Sequence, residues 1–491
     1  MNLKLLSLAC SSFALAAGVA MADGQLSDNA ALEDRIAELE RSNAELRDML
    51  VALMAAQGDD LVRVETVAVT EDSASSEAVQ EETRFVGLNS SYTYDILDHA
   101  ENVTTKQLLQ LKTMQAGELD DRLTFGGQIT AIADYQRSNR EDKFGYLMRN
   151  PTSANQIGKD VSEAVIHSAN WQTTARLTDD LTAYVELLYN PEQNFGSGTI
   201  TSIGRNLTQI RRGYLLWGNL DKSPLYAAIG KMDVPFGLND TVSPFTNSTV
   251  WHSFAGLAYG AKLGYFNNGL HVQAMAVQGG AQFRAANVPV NDTSVPSRIN
   301  NFAIDANYTS VIDDTSSLMV GASYEAGSPY CQDYPIFHFN PCTDNNPAYS
   351  IYTKGVFDKL TVIAEYAQTL DEWPGTQVPD PTNPLSVFEA EKTKSWGVGG
   401  RYALRDDLDA SFEFSTFVAG PDDAPWERQN QWVAGLSYDL VDHVNLFGEL
   451  THVDGFAPLN FLTGGNFDDG STWSDRDATT DLILLGIQAA F

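Results

Sequence analysis

Leu404-Arg-Asp-Asp-Leu408-Asp-Ala-Ser-Phe-Glu-Phe-Ser415 carries the architecture in miniature. Two aspartates between leucines make a tight turn. Leu408, Ala410, Phe412 and Phe414 then alternate with Asp409, Ser411, Glu413 and Ser415. A period of two gives a strand with one apolar and one wet face. Val444, Leu446 and Leu450 against Asn445, Glu449 and Thr451 repeat the pattern. The turn itself recurs at Leu177–Leu181, Leu220–Leu225, Val311–Leu318, Val356–Leu360 and Leu440–Val444. Asn267-Asn268-Gly269 adds a seventh, with hairpin chemistry. Longer polar segments lie near 138–160, 191–204, 234–254, 279–298, 327–347, 371–393, 420–428 and 455–479. Seven short and eight long connections predict an all-β membrane protein, an antiparallel transmembrane β-barrel of about sixteen strands. Sandwiches and propellers do not alternate short and long connections in this way.

Composition agrees. The chain has 491 residues, with 64 acidic against 31 basic, a net charge of −33. Such a surface repels phosphate backbones and excludes nucleic acid as a partner. With 19 Tyr, 23 Phe and 8 Trp, disorder throughout is excluded as well. Residues 23–85 hold 16 acidic and 5 basic residues, so about a third of the excess lies before the barrel.

The ends of the chain define the compartment. Lys4, the apolar run Leu5–Val19 and Ala20-Met21-Ala22 read as a signal peptide over residues 1–22. Export leaves two cysteines, Cys331 and Cys342, which would form one disulfide. Residues 23–57 read as a short α-helical coiled coil, with Leu32, Ile36, Leu39, Asn43, Leu46, Leu50 and Leu53 on the seam. Asn43 at a core position would set register, and Arg35-Ile36-x-x-Leu39-Glu40 resembles the pattern of trimeric coils. Residues 58–122 read as an acidic linker with a possible helix within 101–118, and residues 123–491 as the barrel. The final run Ile483, Leu485, Ile487, Ala489, Phe491 ends on an aromatic. It resembles the signal by which the barrel-assembly machinery recognises bacterial outer-membrane barrels. The long loops would then face outward, with both termini and the coil in the periplasm.

Glu186, Glu365, Glu413 and Glu449 each lie five residues after the first apolar residue of their strand. Parity points them into the lumen at similar height, with Asp305 and Glu325 also inward. An acidic ring would favour cations. Arg176, Lys354 and Arg401 also face inward, roughly opposite Glu186, Glu365 and Glu413, and the expected reading is pairing that neutralises the ring. No Gly-x-Ser-x-Gly or His-Glu-x-x-His arrangement supports an enzyme, and no catalytic residue, metal set or cofactor is read from the chain.

The signal peptide, the coiled coil and Gly230-Lys-Met-Asp-Val-Pro-Phe-Gly237 together resemble the LbtU-type siderophore porins. Phosphate-selective porins are similar more distantly, sharing an N-terminal coil and a Pro-Phe-Gly-like segment. The resemblance implies a homotrimer in the Gram-negative outer membrane, among lipid and lipopolysaccharide, passing small hydrophilic solutes by diffusion, with ferric siderophores among them. An anion- or phosphate-selective porin and a structural envelope tether are the alternatives. In trimeric porins the third external loop folds inward. Here Arg211, Arg212, Lys231, Asp233, Asp240, Trp251 and His252 are the constriction candidates, with an ordinary rim loop as the other possibility.

Overall fold

The computed structural model describes residues 85–148, 158–189, 208–278, 299–332, 344–378, 380–456 and 474–491. The expected signal peptide, the coil with Arg35, Ile36, Leu39, Glu40 and Asn43, and Cys342 lie outside the described residues. Cys331 is buried.

A three-residue strand, β1 (Val86–Leu88), is followed by α1 (Ser90–Leu97) and α2 (Lys106–Gln115). The wall then runs β2 (Leu123–Ser138), β3 (Asp160–Arg176), β4 (Leu181–Tyr189), β5 (Gln209–Gly218) and β6 (Leu225–Asp233). A short helix, α3 (Thr249–Phe254), sits in the third long loop before β7 (Leu257–Asn267), β8 (Leu270–Gln278), β9 (Ile299–Asp313) and β10 (Ser316–Glu325). The last strands are β11 (Ala348–Phe357), β12 (Leu360–Thr369), β13 (Lys394–Arg405), β14 (Leu408–Val418), β15 (Arg428–Val441), β16 (Val444–Phe456) and β17 (Asp475–Ala490).

Strands β2 to β17 pair antiparallel with their sequence neighbours, and β17 pairs with β2, closing a barrel of sixteen strands among the described residues. Closure removes the sheet edges that an open sheet would leave unpaired. The terminal Phe491 completes the seam. Its N–H donates to the Gly127 carbonyl at 2.9 Å, its carbonyl accepts from the Gly127 N–H at 3.0 Å, and its ring meets Trp171 edge-on. Short and long connections alternate as expected. At one short turn Asn268 (φ 48°) and Gly269 (φ 83°) supply the left-handed pair a two-residue hairpin needs. A Cβ on Gly269 would lie 2.2 Å from the Thr309 carbonyl oxygen.

The two faces of the wall separate by parity. Phe412, Leu450, Ile483 and Leu263 are exposed on the outside, while Glu413, Ser415, Glu449 and Thr451 are buried inside. Among the described residues no helix is long and apolar enough to cross a membrane.

The interior is packed rather than open. Residues 89–118, with α1 and α2, lie against the inner wall at the end of the tight turns. Tyr92 Oη bonds Thr174 Oγ1 at 2.9 Å, and Gln110 donates to Thr182 at 2.8 Å. Residues 234–256 fold into the lumen from the other end, almost wholly buried. Both insertions share one apolar cluster, in which Tyr92, Ile96 and Leu111 join Phe236, Phe254 and Trp373. Of the two helices, α2 falls in the region where the spacing of Lys106, Leu109, Leu111 and Met114 suggests one. The sequence reading does not anticipate α1; its signal is Asn89, whose side chain caps the Tyr92 N–H at 2.9 Å.

Candidate functional site

The lumen is the candidate site, and three of the four equally spaced glutamates organise it. Glu365 accepts from the backbone N–H groups of Leu238 (2.9 Å) and Asn239 (2.8 Å), and from Ser350. Glu413 accepts from the Thr241 hydroxyl (2.6 Å) and the Val242 N–H (3.0 Å). Glu449 accepts from the N–H groups of Phe245 (2.8 Å) and Thr246 (3.0 Å), and from the Thr246 hydroxyl. The geometry follows from strand spacing. Glu365, Glu413 and Glu449 stand on β12, β14 and β16, two strands apart, or roughly 10 Å at about 4.8 Å per strand. The loop advances three to four residues per anchor, which an extended chain covers at about 3.3 Å per residue. The carboxylates thus form a rack whose pitch matches the loop backbone. They satisfy N–H groups that would otherwise be buried without partners.

Pro235-Phe236-Gly237 is the hinge by which the loop leaves β6. The Phe236 N–H donates to the Val234 carbonyl at 2.8 Å, and the buried Phe236 ring packs near Phe254. Gly237 has φ 72°, and a Cβ there would stand 2.2 Å from Glu365 Oε1. Its N–H donates to Ser323 Oγ and its carbonyl accepts from Thr104 Oγ1, tying hinge to wall and to the N-terminal insertion.

The pairings expected between the inward glutamates and basic residues do not form, and register explains why. Lys354 stands opposite Ile363 and Arg401 opposite Ser411, each two residues nearer the tight turns than Glu365 and Glu413. At that level the N-terminal insertion delivers Glu101, which accepts from Lys354 at 3.0 Å and from Arg401 at 2.5 Å. Asp240 of the loop also binds Lys354, at 2.9 Å, and accepts from the Val103 N–H at 3.3 Å. Burial works to raise the Glu101 carboxyl, but the Lys354 and Arg401 charges hold it down at about 2. Arg176 lies opposite Thr182, remote from Glu186, and pairs instead with Asp120 and Asp179 near the turn.

Glu186 is served by β5. Arg212 binds Glu186 at 2.7 Å and grips Asp233 with two bonds of 2.6 and 2.8 Å. A β-bulge lies here: Glu186 faces Arg212 and Leu187 faces Ile210, leaving Arg211 as the extra residue. Such a bulge re-aims a side chain. Arg211 and Arg212 both reach the lumen, with Arg211 3.7 Å from Glu186. Lys231 donates to the Ile210 carbonyl at 3.0 Å. Trp251 and His252, on α3, are buried inside the barrel.

The remaining inward acids lie on β9 and β10. Asp305 accepts from Ser323 and Tyr352, both at 2.7 Å. Glu325 is fully buried, and neither carboxyl oxygen has a hydrogen-bond partner among the described residues.

Lys106 is the residue that sequence reasoning placed on a helix but not at a site. Its ammonium donates to the carbonyls of Asp95 (2.9 Å), Asp98 (2.7 Å) and Glu101 (3.0 Å). It thereby closes off the end of α1, where helix carbonyls lack internal partners. Burial pulls its pKa down to about 8, against nearby carboxylates such as Asp98.

Two small cavities, of about 30 and 60 Å³, lie between the insertions and the wall. Both border Arg211, His99 and Trp251.

Among solved structures the chain is similar to the outer membrane channel DcaP of Acinetobacter baumannii, at 14% identity and TM-score 0.47, covering 75% of this chain and 97% of that one. It is similar to OprB of Pseudomonas putida at 10% identity and TM-score 0.48, covering 80% and 99%. It is also similar to an anion-selective porin from Comamonas acidovorans at 10% identity and TM-score 0.45, covering 75% and 99%. A search of curated proteins finds no match. A family model of Gram-negative porins matches residues 115–456, well over half of the sequence, and the chain belongs to that family.

Proposed function

We propose that this outer-membrane porin is a restricted diffusion channel for small hydrophilic solutes, homotrimeric, with its long loops outward and its N-terminal coil in the periplasm. The observation that carries the restriction is the double filling of the lumen, by residues 89–118 from one end and 234–256 from the other. The route left for solute runs past Arg211, between wall and loop. A ferric siderophore, the cargo implied by the family resemblance, would need the N-terminal insertion displaced. Cys331 and Cys342 would close the fifth long loop as a disulfide.

Support for the trimer comes from the outer wall at β15, β16, β17, β2 and β3. His452 and Asp481 pair there at 2.6 Å, facing outward, with Arg137 opposite Asp481 and Asp160 opposite Arg137. A groove of about 350 Å³ beside Trp432, Leu450 and Ile483 adjoins them. Charges on a lipid-facing wall are costly, and a neighbouring protomer covers them.

Planar-bilayer recording of the purified full chain tests the channel reading. Stepwise conductance is expected, several-fold below that of an unobstructed barrel of sixteen strands. Absence of steps would refute it.

A further inference from the structure

A luminal cavity of about 60 Å³ is built by all three parts of the molecule. Leu97 comes from the N-terminal insertion, Phe245 and Asn247 from the third long loop, Gln128 and Arg211 from the wall. No Asp or Glu lines it, and Arg211 is its only Lys or Arg. In a chain of net charge −33 such a spot is unusual. The bulge in β5 puts Arg211 there as a residue the strand ladder does not need.

Several of its polar groups make no hydrogen bond among the described residues. Arg211 makes no hydrogen bond among the described residues. Glu186 stands 3.7 Å from it and uses its oxygens on Asn170 (2.8 Å) and Arg212 (2.7 Å). Asn247 is 1% exposed, and neither its side-chain nitrogen nor its oxygen has a partner among the described residues. The Gln128 amide nitrogen, also buried, has none among the described residues. Native proteins pair nearly all such groups, with protein, water or ligand. The residues that carry these donors, Arg211, Gln128 and Asn247, all line one space.

We infer that this cavity binds a small organic monocarboxylate, its head group on Arg211, Gln128 and Asn247 and its apolar body against Leu97, Met148 and Phe245. The planar fork of an arginine matches a carboxylate's two oxygens. Glu186, 3.7 Å from Arg211, leaves the site little surplus positive charge, which favours a monoanion over a phosphate. The apolar lining favours a carbon chain over an inorganic ion. The inference rests on the channel reading only in taking the cavity to lie on the solute route.

Calorimetry of the detergent-purified full chain with butyrate, and with butyramide as the uncharged match, tests binding directly. Flux of butyrate and of arabinose into proteoliposomes tests transport. Saturable butyrate binding is expected in the millimolar range, with butyramide at least tenfold weaker. Arg211→Gln should lose tenfold or more in butyrate affinity, and Asn247→Leu should lose several-fold with the arginine in place. No saturable butyrate binding by the wild type overturns the inference, as does equal binding by butyramide or by both variants. Arabinose flux without butyrate binding sinks this inference alone. Butyrate binding without any flux sinks the channel reading and leaves the site standing.

Discussion

Glu449→Leu, and more so the double substitution Glu413→Leu with Glu449→Leu, is expected to raise single-channel conductance several-fold and to make the current noisy. Glu449 holds the N–H groups of Phe245 and Thr246 together with the Thr246 hydroxyl. Hydrogen bonds to a charged group contribute about 1.5–3 kcal/mol each. Their loss also leaves buried N–H groups without partners, at about 1–3 kcal/mol for each group. The loop then prefers water to the lumen. Glu449→Gln keeps one acceptor oxygen and should give an intermediate result, which separates loss of anchoring from loss of charge. Bilayer recordings in which the leucine variants match the wild type would remove the rack from the account. A cation-attracting ring makes the opposite forecast, because losing its carboxylates would lower cation conductance.

The second large effect concerns Glu101. Glu101→Gln is expected to release the N-terminal insertion and open the channel at neutral pH. Lys354 and Arg401, largely buried, would lose the carboxylate they share. Breaking a buried pair by removing one partner typically costs about 3–5 kcal/mol, and the partial exposure of this cluster puts it at the lower end. The pH dependence has a definite sign. Held at about 2 in the folded protein against an ordinary 4.5, the Glu101 carboxyl stabilises the insertion fully above about pH 4.5. That contribution is lost as pH falls from 4.5 toward 2. Wild-type conductance should therefore stay level from pH 7 to about 4.5 and rise below it. Glu101→Gln should start high and lack that acid rise. A variant as closed as the wild type at pH 7 would show that other contacts hold the insertion.

The wall was the legible part of this molecule, and the contents of its lumen were not. Turns such as Leu404-Arg-Asp-Asp-Leu408 announce themselves by short-range chemistry, and the alternation after Leu408 reports two solvents on two faces. The equal offset of Glu365, Glu413 and Glu449 from their turns was also visible, and their common height follows from it. Their partners could not be read, because backbone N–H groups carry no residue identity. The sequence therefore pointed to cations on neighbouring strands. Register then decides: Lys354 and Arg401 stand two residues too near the turns and meet Glu101 instead. Arg211 and Arg212, both read as constriction candidates, reach the lumen together only because a bulge turns both inward, which the sequence does not show.

The rack of glutamates also bears on the order of assembly. Leu238 is 127 residues from Glu365, and Thr246 is 203 residues from Glu449. Glu101 is separated by 253 residues from Lys354 and by 300 from Arg401. Contacts over such separations form late, because the intervening chain must be ordered first. During refolding, protease cleavage within 234–256 is expected to stay possible until β16 is in place, and early protection would contradict this. The third long loop is thus expected to seat in the lumen only as the last strands close the barrel around it.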